Sequence, residues 1–264
     1  MSSLLEALAP KDRRGSKPRC HLLTHGSQEA VAQRLTALTY PFATVSPSDQ
    51  WMPQGFDDIA EATLPEADRL LPADVRTALK QWWLAVPSKT AMSPNWDIAS
   101  TCTIDGRPGI LIVEAKAHDR ELIDQERGKR FDPSSASENS RRNHARIGSA
   151  IDEAGSALES DTGLRWSLSR DSHYQMSNRF AWAWKLANLG IPVVLIYAGF
   201  LEAAEMSDVG TPIPDAKAWW NIVTQHSERL FPAAVWNRKW LLNGQPFIPM
   251  VLAAKLPLQD EALE

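Results

Sequence analysis

The clearest pattern along the chain is a pair of apolar segments joined by a tight-turn signal. Residues Trp96 to Ile104 and Pro108 to Ala117 are rich in Ile, Val and Thr, and Asp105-Gly106 lies between them. An Asp-Gly pair between two such segments is typical of a two-residue β-hairpin turn. Ile110 to Val113 is continuously apolar, as in a strand covered on both faces. The pattern therefore predicts a hairpin whose second strand is buried.

Helical periodicity is found on both sides of this hairpin. Apolar residues spaced three and four apart predict a helix from Pro72 to about Ala85. Ser135 and Glu138 form a capping-box pattern, which predicts the start of a second helix. A third helix is predicted over His173 to Leu189, and the apolar segment Ile191 to Phe200 that follows it is predicted to be a central strand.

The remaining segments are less regular. Cys20 to Thr24 is predicted as a short strand and Gln54 to Leu71 as an acidic, partly helical segment, while Asp215 to Phe231 has a helical pattern and Phe247 to Leu256 an extended one. Together the elements predict an α/β fold with a central mixed β-sheet flanked by helices and with N- and C-terminal helical elaborations. We expect residues 1–50 to form a partly mobile N-terminal extension, with the first 18 or so mobile, and residues 51–264 a single domain.

The turn also predicts the hairpin register. With Asp105 and Gly106 as the central turn residues, pairing outwards along the strands places Asp97 opposite Glu114. Opposed residues have Cβ atoms about 4.5–5.5 Å apart, and side chains on a strand alternate between its faces. Lys116 is therefore expected on the face of Glu114, so that two carboxylates and an amine converge.

Such a group suits a divalent cation. Opposed like charges destabilise a sheet unless something positive lies between them. Oxygen ligands of this kind favour Mg²⁺ or Mn²⁺, with Asp97, Glu114 and the Ala115 carbonyl as ligands. Lys116 is then placed to orient the attacking water or to stabilise charge on phosphorus. Lys89 and Ser93 are expected to line the approach.

These residues resemble the PD-(D/E)xK nuclease superfamily. Asp97 is followed by Glu114-Ala115-Lys116, and Pro94-Asn95-Trp96-Asp97 stands where the family has its Pro-Asp element, although two residues separate Pro from Asp here. The resemblance implies a restriction-endonuclease-like core and Mg²⁺-dependent hydrolysis of DNA. In some branches a carboxylate from an early helix supplies another ligand, for which Glu61 is the candidate; a solvated helix face is the alternative and the favoured explanation of this residue.

The resemblance also implies a role for the helix after the hairpin, in which a polar residue near the helix start assists the site. Gln175 occupies that place in this sequence, and Asn178 and Arg179, about one turn further on, are candidates for contact with substrate.

Charge limits how the chain can meet a polyanion. The formal net charge is −4, so DNA contact requires local basic surface. Lys11 to Arg19 has five basic and one acidic residue, and Arg127 to Arg146 has six basic and two acidic, so each segment has a net charge of +4. Arg141 and Arg142, at the start of the second helix, are expected to face phosphates. A merely solvated basic face is the alternative.

Several classes of protein are disfavoured. Cys20 and Cys102 are too few for a disulfide framework, and the chain has neither a signal-peptide pattern nor an apolar segment long enough to cross a bilayer, so a cytoplasmic protein is expected. There is no GxxxxGK[ST] or GxSxG motif, and His118, His144, His173 and Asp171 do not fall in HExxH or HxxxH spacing, which argues against a zinc hydrolase. Most of the eleven tryptophans are expected in the core.

The hypothesis from sequence is a Mg²⁺-dependent deoxyribonuclease of unknown oligomeric state. The first alternative is a catalytically degenerate module on the same fold that only binds nucleic acid or a partner. Another is a metal-independent hydrolase, for example a carbohydrate-active one, whose Asp and Glu act as an acid-base pair. A purely structural component is the last.

Overall fold

The computed structural model describes residues 2–87, 93–124 and 126–258, so Lys89 lies outside the described residues. The helices of this part are α1 (Ser2–Leu5), α2 (Ser16–Leu23), α3 (Gln28–Thr39), α4 (Ala73–Trp83), α5 (Arg120–Ile123), α6 (Glu138–Thr162), α7 (Tyr174–Asn188) and α8 (Ala216–Ser227). The strands are β1 (Ala43–Thr44), β2 (Trp51–Met52), β3 (Ala62–Thr63), β4 (Asn95–Trp96), β5 (Ile98–Ile104), β6 (Arg107–Lys116), β7 (Val193–Phe200), β8 (Trp240–Leu242) and β9 (Gln245–Ala254). Short 3₁₀ turns lie at Pro10–Asp12, Leu64–Glu66, Ala204–Met206 and Ala233–Val235.

A mixed sheet forms the centre of the fold, which confirms the predicted α/β class. Its strand order is β1-β5-β6-β7-β9-β8, and β2 also pairs with β5. The β5–β6 pair is an antiparallel hairpin, whereas β6, β7 and β9 run parallel to one another. The chain crosses from β6 to β7 through α6 and α7, as parallel neighbours require. β6 and β7 therefore lie in the middle of the sheet.

Two apolar clusters cover the two faces of this sheet. Ile110 and Ile112 of β6 belong to the cluster that includes residues of α4, α6, α7 and α8. Leu111 and Val113, which alternate with them, belong to the cluster that includes residues of α2 and α3. Both faces of β6 are thus buried, as its continuous apolar sequence predicted. Most tryptophans are also in the core, including Trp82 and Trp182.

The long helices after the hairpin are close to their predicted positions. α7 and β7 confirm the predicted helix and central strand, and Gly190, with φ +88°, follows the helix where a left-handed residue favours termination. α6 begins later than predicted, because Ser137 and not Ser135 is its N-cap and accepts a hydrogen bond from the Ser140 amide. The Ser135 hydroxyl instead donates to Asp132. A competing local carboxylate therefore displaced the predicted cap.

Two early segments differ from the predictions. Cys20 to Thr24 is not a strand, because residues up to Leu23 continue α2. Cys20 and Leu23, three residues apart, both face the sheet, which is helical spacing. Gln54 to Leu71 contains no α-helix: it holds strand β3 and a 3₁₀ turn, since β3 pairs with β4 in a separate two-stranded sheet.

Much of the N-terminal region is part of the same body as the sheet. β1 pairs with β5, and α3 packs its buried residues Val31 and Leu35 against the β5–β6 side of the sheet. The mobility predicted for residues 1–50 stays a prediction. None of the helices in the described residues has the length and apolarity to cross a bilayer.

Candidate active site

The β5–β6 hairpin has the register that the turn predicted. Ile104 pairs with Arg107 and Ile98 with Val113, and the turn residues Asp105 and Gly106 both have positive φ, as a two-residue hairpin turn of this type requires. Regular pairing ends at Ile98, so Asp97 lies just beyond the strand. Its Oδ2 accepts a hydrogen bond from the Ala115 amide at 2.7 Å. This bond holds the Asp97 carboxylate beside the end of β6.

Glu114 and Lys116 occupy the same face of β6, one strand repeat apart. Lys116 Nζ donates to Glu114 Oε1, and both side chains are buried, with Glu114 2% and Lys116 5% exposed. Asp97, Glu114 and Lys116 therefore converge at one end of the hairpin, as predicted from the register.

The partner that the sequence analysis did not assign to this group is Arg179. Its Nε donates to Glu114 Oε2 at 2.6 Å, and its Nη2 donates to the Asn95 carbonyl at 2.7 Å. The guanidinium carbon lies 4.6 Å from the centroid of the Trp96 ring, a cation–π contact. Arg179 thus joins α7 to both sides of the hairpin end. We call Asp97, Glu114, Lys116 and Arg179 the acidic network.

Asn178 and Arg179 had been expected to contact substrate. In the structure both side chains are buried, and Arg179 Nη1 donates to Asn178 Oδ1 at 3.0 Å. Their polar groups are engaged within the protein, which makes them supports of the carboxylates. Contact with substrate stays a prediction for both.

Burial and charge give the members of the network different protonation. Burial, and after it the charge of Glu114, raise the pKa of Asp97 from 3.8 to about 7, against the opposing effect of Lys116. Burial would also raise the pKa of Glu114, but Arg179 and Lys116 outweigh it and lower that pKa. Burial would lower the pKa of Lys116, which Glu114 and Asp97 raise instead. At neutral pH Glu114 and Lys116 are therefore charged, while Asp97 is close to its midpoint.

Glu61 lies near this group but not on a helix. It directly precedes β3, and the pairing of Ala62 with Trp96 places it next to Asp97 on the neighbouring strand. Its Oε1 is 3.1 Å from Lys17 Nζ, and its Oε2 accepts a bond from Asn95 Nδ2 at 3.4 Å. The prediction of an early helix was wrong, because this segment is extended. Glu61 is nevertheless a neighbour of Asp97.

A further carboxylate, Glu121, was not predicted from the sequence and binds the backbone directly after β6. Glu121 Oε2 accepts hydrogen bonds from the amides of Ala117 and His118, and its Oε1 accepts one from the Ser16 hydroxyl at 3.2 Å. The bond to Ser16 brings the start of α2 next to the end of β6. The sequence signal that could have revealed this contact is the position of Glu121, four residues after Ala117.

The remaining candidates are less closely tied to the network. Gln175 lies in the first turn of α7, and its Oε1 is buried without a hydrogen-bond partner in the described part of the chain. Arg141 and Arg142 are exposed in the first turn of α6, where Arg141 donates to the Pro133 carbonyl at 3.3 Å. Among the described contacts, none joins either arginine to the acidic network.

A comparison of the chain with protein-family models, with curated proteins and with solved structures finds no match in any of the three.

Proposed function

We propose that the protein is a metal-dependent nuclease that hydrolyses DNA phosphodiester bonds on a restriction-endonuclease-like core. The observation that carries this proposal is the convergence of Asp97, Glu114 and Lys116 at the end of β6. The topology supports it as well, since a hairpin, a crossover of helices and a parallel strand follow in the order that the resembled superfamily uses. The buried, unpaired cysteines Cys20 and Cys102 are compatible with the cytoplasm that we propose as its location.

The carboxylates fit Mg²⁺ or Mn²⁺ by two tests. First, burial and then the charge of Glu114 raise the pKa of Asp97, which makes its ionisation costly, and a bound cation would relieve that cost. Second, although Lys116 and Arg179 already donate to the two oxygens of Glu114, a carboxylate has about four lone-pair sites. Asp97, Glu114 and the Ala115 carbonyl would hold the ion, with Glu61 as a more distant candidate. When bound, the ion would lower the pKa of a coordinated water.

The protein's own groups divide the remaining work. Arg179 fixes the rotamer of Glu114 and keeps it ionised, because it supplies a buried positive charge at 2.6 Å. Lys116 stays charged and can stabilise the negative charge that develops on the phosphoryl oxygens. Gln175, whose buried Oε1 has no hydrogen-bond partner among the described residues, is proposed to assist the site, and the exposed Arg141 and Arg142 are proposed to contact the DNA backbone.

The experiment is a Mg²⁺-dependent cleavage assay on double- and single-stranded DNA with a matched pair of substitutions. Asp97→Asn removes one carboxylate charge from the network and should reduce cleavage by about 10²-fold or more. Asp105→Asn makes the same chemical change at the exposed hairpin turn, where Asn tolerates the positive φ, and should leave cleavage unchanged. EDTA should abolish activity. Equal cleavage by Asp97→Asn and wild type would exclude the assignment.

A degenerate binding module is the second candidate, and one observation favours it. Both Glu114 oxygens already accept bonds from cationic side chains, as in a site that needs no metal. This candidate predicts DNA binding that weakens with salt and no cleavage products at any Mg²⁺ or Mn²⁺ concentration. Activity that survives EDTA would instead indicate the metal-independent hydrolase.

A further inference from the structure

A second group of potential ligands lies outside the acidic network. Glu126, His173 and His226 each offer one ligand atom, and these three atoms lie within 4.8 Å of one another. Glu126 belongs to the loop after α5, His173 is the N-cap of α7, and His226 lies in the last turn of α8. The three residues are far apart in sequence, so no local motif marks them. We call them the histidine cluster.

Three of the four ring nitrogens of this cluster find no hydrogen-bond partner in the described part of the chain. His173 Nδ1 and both ring nitrogens of His226 are buried and have no hydrogen-bond partner in the described residues. A neutral imidazole has one donor and one acceptor nitrogen, and buried groups of this kind are normally satisfied by protein, water or an ion. The rings do not stack in parallel: their centroids are 4.8 Å apart and their planes meet at 57°. A bound water or ion is therefore expected to meet these nitrogens.

The backbone holds two of the ligands in position. His173 has φ +47° and ψ +38°, the left-handed region that non-glycine residues rarely occupy. Its amide donates to the Glu126 carbonyl at 3.0 Å, and the next amide, of Tyr174, donates to the Arg127 carbonyl at 3.1 Å. These bonds fix the start of α7 against the loop that carries Glu126. Unusual backbone conformations held in this way are frequent at ligand sites.

We propose that Glu126, His173 and His226 bind one divalent transition-metal ion of the zinc class, with water at the remaining position. Two imidazoles and one carboxylate match the ligands that Zn²⁺ uses, whereas Mg²⁺ prefers oxygen alone. Glu126 is exposed and the histidines are buried, which gives the ion a path of entry from solvent. The ion would link the loop after α5 to the start of α7 and the end of α8. This inference is independent of nuclease activity.

The test uses the full-length chain without an affinity tag, stripped with EDTA and titrated with Co²⁺ as a spectroscopic substitute for Zn²⁺. We expect saturable visible absorption from one Co²⁺ per chain, displaced by equimolar Zn²⁺ but not by excess Mg²⁺. Failure of the wild-type chain to bind Co²⁺ saturably would overturn the proposal.

Variants locate the ion. Glu126→Gln changes an exposed side chain, so the fold should be retained by circular dichroism while Co²⁺ affinity falls about tenfold or more. His226→Gln should remove the absorption band. His144→Gln is the matched control, because His144 stacks on Phe131 outside the cluster, and it should bind as wild type does. Unchanged affinity in Glu126→Gln would overturn the proposal, as would loss of the band in Asp97→Asn, which would place the ion at the acidic network.

Discussion

The acidic network and the histidine cluster both have a buried centre, Glu114 with Lys116 in one and His173 with His226 in the other, yet their polar groups differ in the partners they find. In the network, Glu114 meets Lys116 and Arg179, and Asp97 meets a backbone amide. In the cluster, three ring nitrogens meet no partner among the described residues. The difference separates polar groups whose partners are supplied by the fold from polar groups whose partners are not. The contacts of the network join α7 to the hairpin, whereas the unpartnered nitrogens of the cluster are the observation on which the proposed metal site rests.

The two regions also respond to pH in opposite directions. The raised pKa of Asp97 means that the folded chain binds more protons than the unfolded chain from about pH 4 to about pH 7, so this group makes stability fall as pH rises. Burial, and then the charges of His173 and Lys116, lower the pKa of His226 from 6.5 to about 3. Between about pH 3 and pH 6.5 the unfolded chain therefore binds more protons at His226 than the folded chain does, so this group makes the free energy of unfolding rise with pH. Both shifts favour the neutral form of a buried group.

The largest expected effect comes from breaking the network at Arg179. Arg179→Met keeps much of the side-chain volume but leaves Glu114 with one cationic partner and frees the Asn95 carbonyl. Removal of one member of a buried ion pair costs about 3–5 kcal/mol, and because Lys116 remains beside Glu114 we expect a cost of about 3 kcal/mol here. Urea denaturation would measure it as a lower midpoint at an unchanged slope.

An exposed ion pair provides the control for this prediction. Lys80 lies 2.7 Å from Glu66, and the two side chains are 51% and 64% exposed. Lys80→Met should cost less than about 1 kcal/mol, because water screens such a pair. If Arg179→Met cost no more than Lys80→Met, the network would not be holding α7 against the hairpin.

An intermediate effect is expected at Asp97 in metal-free protein. Asp97→Asn removes the titration between pH 3.8 and about 7, so the variant should gain stability relative to wild type as pH rises through that window. Asp97 is only half-buried, and partial access of water reduces the gain to about 1–2 kcal/mol. Unfolding free energies at about pH 4 and about pH 7 in EDTA would measure it, with Asp105→Asn as the control. A constant difference between Asp97→Asn and wild type at both pH values would contradict the shift.

The hairpin was predictable because its signals are local. The residues that support the site were not, because only the tertiary fold brings them to it. Asp105-Gly106 determines the turn, the turn determines the register, and the register brings Asp97 to Glu114. Arg179 reaches Glu114 from α7, which the crossover between β6 and β7 places against the sheet. No local pattern in the sequence distinguishes this residue from a surface arginine. Glu61 was placed on a helix because acidic composition does not reveal the pairing of β3 with β4.

The histidine cluster is a second group of residues that no local sequence signal brings together. The spacing of His118, His144 and His173 argued against a zinc hydrolase, but ligand motifs such as HExxH describe only sites built on one helix. His173 and His226 come from the ends of two helices, and Glu126 from a loop, so the fold alone brings them together. The absence of a ligand motif in the sequence therefore does not exclude a group of ligands that the fold assembles.

The smallest effect is expected where the cluster loses a histidine in metal-free protein. His226→Leu removes two buried nitrogens that have no partner in the described residues, and replacing an unsatisfied polar group by an apolar one is nearly neutral or stabilising. At neutral pH in EDTA the variant should be within about 1 kcal/mol of wild type, and more stable if it differs. In Zn²⁺ the order should reverse, because an ion that binds only the folded wild type adds to its stability and not to that of the variant. Thermal unfolding with and without Zn²⁺ measures both.

A large loss of stability in EDTA would contradict this prediction. It would show that His226 supports the fold through contacts within the protein, as Arg179 does, and that the network and the cluster do not differ in the way their hydrogen-bond partners suggest.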